Sequence, residues 1–282
     1  MKTLSFSAMT ALAAALSVPA SAIAQTETPA AAPTAEPAPA PKLTGNVTLT
    51  TNYKFRGQDQ DQIGRNDGTF KTSGFKPAIQ GGFDYAFGDS GFYVGNWNSS
   101  VNWLKGNSIE SDIYGGYKFK AGVLDLDVGM WSYLYPGNTA GNTVEFYGSV
   151  GYTSEVAGTF KAKYSGTVSD DYFNYAGNKA GSGLKGAGTG YLNLTYSKEV
   201  VTRLTLNAGV GYTFMSPDIR SLGYTNYLDY SVGLAYDLGS GLSVQGMVQG
   251  ANHEGSYEVT GTDGKTLSPN KPRFIAAITK VL

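Results

Sequence analysis

The chain has 282 residues, 21 basic against 22 acidic side chains, one histidine and no cysteine. Without cysteine there is no disulfide framework and no lipid-modified cysteine, and a net charge of −1 offers no basic patch for nucleic acid. Only 15% of residues are charged, against about 25% in an ordinary globular domain, while glycine (38) and tyrosine (20) are abundant.

Residues 1–24 read as a cleaved secretory signal: Lys2 supplies the positive start, LSFSAMTALAAALSV the apolar core, and Ala22-Ile23-Ala24 the cleavage site. Residues 25–42 follow as a Pro/Ala-rich linker, QTETPAAAPTAEPAPAP, with nothing to nucleate a core. The folded part, 43–282, shows no helical period. It carries twelve segments of period-2 alternation bounded by Gly, Asn, Asp and Pro, starting near 46, 77, 91, 108, 122, 143, 159, 189, 203, 226, 242 and 272. The cleanest is YLDYSVGLAYDL (227–238), which puts Leu228, Tyr230, Val232, Leu234, Tyr236 and Leu238 on one face.

The connections alternate between long and tight. Residues 58–76, 105–107, 136–142, 169–188, 215–225 and 254–271 are the looser set; 88–91, 121–122, 154–158, 199–202 and 239–241 are the tight set. Such asymmetry, with an even strand count, predicts an all-β fold: a transmembrane antiparallel up-and-down β-barrel of the outer-membrane type, with loops outside, turns in the periplasm and both termini periplasmic. A soluble β-sandwich would explain the alternation, but not the loop asymmetry or the uncharged outer faces.

Aromatic residues are expected in two girdles on the lipid face. Tyr85, Phe87, Tyr93, Tyr117, Phe119, Tyr152, Phe160, Tyr196 and Tyr236 fall near the tight turns; Tyr53, Phe55, Trp103, Tyr212, Phe214 and Phe274 fall near the long loops. In GFYVGNWNSSVNW this reading turns Tyr93, Trp97, Val101 and Trp103 to lipid, and Asn96, Asn98, Ser100 and Asn102 to the lumen. Lys280 shares a face with Phe274 and Ile278 and is expected to snorkel to the periplasmic interface.

GNVTLTTNYKFRG (45–57), PAIQGGFDYAF (77–87), SGFYVGNWNSSV (90–101) and SIESDIYGGYKF (108–119) resemble the TorF-type putative porins, also known as the Gcw_chp proteobacterial outer-membrane proteins. The match is densest over the first third of the mature chain. The segment QDQDQIGRNDGTFKTSG is longer here than in that pattern. The resemblance implies an outer-membrane barrel and a pore, but not a solute.

The candidate transport residues are the charges on the more polar faces: Lys54, Arg56, Asp84, Glu110, Asp112, Lys118, Lys120, Asp125, Asp127, Glu145, Lys161, Lys163, Asp229 and Asp237. In an open pore they bias solute passage; in a plugged barrel they pair with one another. Weaker signals count for less. His253, with Glu254 and Ser256 nearby, lacks an evident oxyanion hole for a lipid-modifying enzyme. GSGLKG (181–186) has no βαβ context, and GTDGKT (261–266) lacks the first P-loop glycine. Ile63 interrupts the calcium-like run 59–64, to which Asp67 would have contributed. The expectation is therefore a non-enzymatic outer-membrane channel for passive diffusion of small polar or charged solutes. It has no cofactor or metal, lipid and small solutes as partners, and is a monomer or weak homo-oligomer. A non-conducting structural barrel is the alternative, with a lipid-modifying enzyme built on His253 behind it.

Overall fold

The computed structural model describes residues 43–61, 77–260 and 264–282. The signal, the linker, Ile63, Asp67 and the first three residues of GTDGKT lie outside the described residues.

Twelve strands form a closed antiparallel barrel. They are β1 Leu43–Thr50, β2 Ala78–Ala86, β3 Phe92–Ser100, β4 Ile109–Ala121, β5 Leu124–Leu134, β6 Thr143–Ser154, β7 Gly158–Thr167, β8 Gly190–Val201, β9 Leu204–Phe214, β10 Tyr227–Gly239, β11 Leu242–Ala251 and β12 Arg273–Val281. Each pairs with its neighbours in sequence, and β12 closes on β1 through Asn46↔Val281 to Thr50↔Ala277. Closure leaves no strand edge unpaired. The alternation of tight turns at one end and longer loops at the other is as the sequence indicates. At the short-turn end, Arg203 and Ser240 adopt positive φ in two-residue turns.

Period-2 alternation sorts the side chains. Leu49, Ile79, Phe83, Ile113, Val128, Phe146, Leu194, Val232 and Ile278 are exposed on the outside. That continuous apolar face suits hydrocarbon rather than water. At the short-turn end it ends in ring pairs such as Tyr85–Phe87, Phe92–Tyr117 and Phe160–Tyr196. Tyr212–Phe214 and Phe274 ring the other end. Lys280 Nζ reaches back to the Ser240 carbonyl at 2.6 Å, the expected snorkelling.

The inside is a packed core rather than an empty tube. Tyrosines lie across glycines of the adjacent strand: a Cβ on Gly95 would enter the Tyr114 ring, and one on Gly116 would meet Tyr93. This is how rings cover bare backbone on the inner wall.

Three sequence expectations are corrected here. The first barrel strand ends at Thr50, so Tyr53 and Phe55 are not girdle residues; Tyr53 is buried and Phe55 packs against Tyr133 and Phe173. Strand β3 presents the opposite face to that expected. Trp97 is 0% exposed inside the barrel, edge-on to Tyr53, and Tyr93 and Val101 also point inward. Asn96, Asn98 and Ser100 share the outer face with Phe92 and Val94, because Asn96 pairs with Phe83 and Ile113, both exposed. Asn102 and Trp103 lie beyond the strand, Trp103 edge-on to Tyr135. The reason is common to all three: a filled lumen is itself an apolar environment, so bulky rings do not mark the lipid face.

Candidate functional site: a charge-latched hairpin in the lumen

After Thr50 the chain leaves the wall and folds into the barrel as a small hairpin, Lys54–Phe55 against Gln58–Asp59. Its two-residue turn, Arg56-Gly57, has φ of 48° and 76°, the both-positive conformation that suits a tight hairpin and that glycine favours. A Cβ on Gly57 would collide with Asp229 and Ala251, so the hairpin tip is seated against the β10–β11 wall. Lys54 and Arg56, expected on the wall, are instead on this inner element.

Three sets of contacts hold it. Arg56 makes a two-pronged ion pair with Glu145 on β6, at 3.0 and 2.6 Å, with side chains 5% and 2% exposed. Its guanidinium also lies over the Phe55 and Tyr191 rings, 4.7 and 4.3 Å from their centroids. Burial alone would lower the Arg56 pKa, but Glu145 together with Tyr133 and Tyr172 holds the group well above its ordinary value, so it stays charged. Asp59, fully buried, joins Lys54 at 3.2 Å and Arg273 on β12 at 2.7 Å. The far side is tied by Lys54 Nζ to the Pro269 carbonyl (2.6 Å), by the Asp59 amide to the same carbonyl (3.0 Å), and by Gln58 to Asn270 (3.0 Å).

Above the hairpin, the 168–189 connection supplies an aromatic cover. Phe173 packs on Phe55, Tyr133 and Tyr135, while Tyr175 donates to Gln58 at 3.0 Å and stacks edge-on to Tyr224 and Tyr257. Burial pushes the Tyr172 phenol up to about 12, so the cover is uncharged. The acids below meet neutral donors, with Asp112 Oδ1 left without one. Tyr53 and Tyr135 donate to Glu110 at 3.2 and 2.9 Å, and Trp131 donates to Asp112 at 2.9 Å.

The remaining inward charges differ in exposure. Lys120–Asp125 is a half-exposed pair at 2.6 Å. Asp127 and Asp84 accept from Tyr93 (2.9 Å) and Tyr114 (2.7 Å). Lys118 and Lys163 lie over Tyr93 and Tyr147, at 4.4 and 4.1 Å. Lys161 points inward beside Gly151 and Thr195. Asp229 accepts from Tyr191 at 3.2 Å, and Asp237 caps the β10–β11 turn through the Gly239 amide at 2.7 Å. The charged residues thus crowd the β2–β7 side. The opposite wall carries fewer charges, Asp229, Asp237 and Arg273, set among Thr48, Asn193, Asn207, Gln245 and Gln249.

Two clefts border the hairpin on that side. One lies among Thr48, Asn52, Gln80 and Gln249; the other lies among Arg56, Asn193, Asp229 and Ser231. Each has room of about 20 Å³, enough for a water or two and too little for a solute. Both amide atoms of Asn52 and of Asn207, and Gln249 Oε1, are buried without a hydrogen-bond partner, which fits a wet seam along this wall.

Sequence reasoning missed Asp59, Arg273, Tyr53 and the 172–175 aromatics. The one hint is KFRGQD, where opposite charges flank an Arg-Gly turn, but Tyr53 and Phe55 carry on the alternation of β1 and mask it. His253 sits at positive φ before the 3₁₀ turn Glu254–Tyr257. Among the described residues, no serine or carboxylate is hydrogen-bonded to its imidazole, and none form a metal-binding cluster.

Comparison with known proteins adds a family and a fold. The barrel is similar to the KdgM porin, with a TM-score of 0.51 at 9% identity, covering 84% of this chain and 98% of that one. It is also similar to the NanC porin, with a TM-score of 0.50 at 10% identity, covering 85% and 98%. At such identities the likeness shows the fold alone. No curated protein matches the sequence. The family model described as "Bacterial protein of unknown function (Gcw_chp)" matches residues 34–280, and the chain belongs to that family.

Proposed function

We propose that the protein is a porin-like channel of the Gram-negative outer membrane. It passes small polar or charged solutes by passive diffusion, and the 53–60 segment holds it closed at the long-loop half. The single observation that carries this reading is the contrast inside the barrel. Among the described residues, the two clefts bordering the hairpin have room only for water, while charges towards the short turns are more exposed, as in the half-exposed Lys120–Asp125 pair. The Lys54, Arg56, Asp59 and Glu145 charges serve as the latch. Asp84, Lys118, Lys120, Asp125, Asp127, Lys161 and Lys163 bias which solutes enter from the short-turn end. The porin fold, the TorF-type resemblance of the 45–119 motifs and the apolar outer face support the location, with the N-terminal tail in the periplasm.

The second reading is a non-conducting structural barrel, favoured by the buried ion pairs that tie the hairpin to the wall. Liposome swelling separates the two. A barrel in which 53–60 is replaced by a short Gly/Ser link admits small sugars and amino acids, and the wild type admits them more slowly. If neither admits any solute while both barrels are folded, the channel reading fails.

A further inference from the structure

The reversal of β3 leaves a feature the channel reading does not use. Asn96, Asn98 and Ser100 lie on the outer face. Asn98 pairs with Gly81 on β2 and Ser111 on β4, and Ile113, next to Ser111 on that face, pairs with Ser132 on β5. All other outward residues of the described barrel strands are apolar, aromatic or glycine, apart from Ser154, Lys198 and Lys280 beside the short turns. Lys198 and Lys280 explain themselves by reaching turn carbonyls at Val156 and Ser240. The amide patch does not.

Its depth makes it costly. Asn96 and Asn98 are four and six residues along β3 from Phe92 in the short-turn girdle, about 10–15 Å up an apolar band about 25 Å tall. Part of the cost is met locally: Asn96 donates to the Asp112 carbonyl at 3.0 Å, and Asn98 donates to Asn96 at 2.7 Å. Asn98 Oδ1, its second N–H and the Ser111 and Ser132 hydroxyls have no partner among the described residues. Lipid tails offer none.

We propose that this β2–β5 face is the interface of a homodimer in the membrane, with Asn98 of one copy hydrogen-bonded to Asn98 of a second. The occupant follows from the chemistry of the patch. A neutral amide carries donor and acceptor together, so a two-fold axis through Asn98 satisfies both copies with one geometry. No charge on the patch needs an opposite charge on a different partner. Gly81, beside Asn98, leaves bare backbone where a second barrel can approach closely.

The chain has no cysteine, which makes cross-linking clean. Ser111→Cys keeps both asparagines and stands beside Asn98; Leu234→Cys stands on the outer face of β10, away from the patch. In oxidised outer membranes the Ser111→Cys protein is expected to form at least ten-fold more covalent dimer than Leu234→Cys. In mild detergent the wild type is expected to sediment as a dimer, and the Asn96→Leu/Asn98→Leu protein as a monomer with unchanged heat-modifiable mobility. Equal cross-linking at the two positions overturns the proposal. So does capture of a different protein by Ser111→Cys, a monomeric wild type, or a dimer that survives the double substitution.

Discussion

Replacing Arg56 by alanine attacks the hairpin at its best-defined contact. Arg56 and Glu145 share two hydrogen bonds of 3.0 and 2.6 Å and are all but inaccessible to water. Removing one partner of such a pair costs about 3–5 kcal/mol, because the other charge is left buried and alone. That penalty falls on the closed state, since withdrawal of the hairpin returns Glu145 to lumen water. At about 1.4 kcal/mol per factor of ten, the ratio of open to closed time rises roughly a hundred- to several-thousand-fold. The cation–π contacts to Phe55 and Tyr191 are lost as well and push in the same direction. Lys54, Asp59 and Arg273 still anchor the hairpin, so closures persist but become brief. Planar-bilayer recording at fixed voltage reads the ratio directly, with heat-modifiable gel mobility as the control for folding. Arg56→Lys, which keeps the charge but loses the fork, should lie between. A folded Arg56→Ala barrel with wild-type open and closed times would refute the latch.

Other consequences can be checked more cheaply. Trp97 and Trp131 are buried inside and Trp103 packs on Tyr135, so brominated lipids are expected to leave tryptophan fluorescence nearly unquenched; strong quenching would restore the opposite face for β3. Trp97→Ala removes a fully buried indole packed on Tyr53 and should lower stability by about 3–5 kcal/mol, seen as a lower midpoint in denaturant-induced unfolding. Gly95→Val drives a branched side chain into the space of the Tyr114 ring, breaking its bond to Asp84. The folded fraction after refolding should fall, and a wild-type yield would count against the inner-wall packing.

The barrel was legible because its signals are redundant. Twelve alternating segments, their boundaries and the long–short rhythm of connections each point to the same closed sheet, and a strand such as 227–238 declares its outer face through six consecutive alternate residues. The site was legible in part. The sequence marks Glu110, Asp112, Glu145 and Asp229 as inward charges, and the structure sets them inside. What could not be read was the hairpin, whose residues continue the alternation of β1 for a few positions before turning away from the wall. The β3 error has the same root. Trp97 and Tyr93 look like lipid-facing rings, but they pack against elements that reach the lumen from far along the chain, Tyr53 of the hairpin and Asp127 of β5. Alternation locates two faces; which one is inside depends on what else occupies the lumen.

The most direct test of the account is single-channel conductance of the refolded wild type beside the barrel lacking the 53–60 hairpin. The account predicts infrequent, discrete openings in the wild type and a persistently open channel of at least equal unit conductance without the hairpin. A hairpin-free barrel that is folded, inserted and silent at every voltage would contradict it.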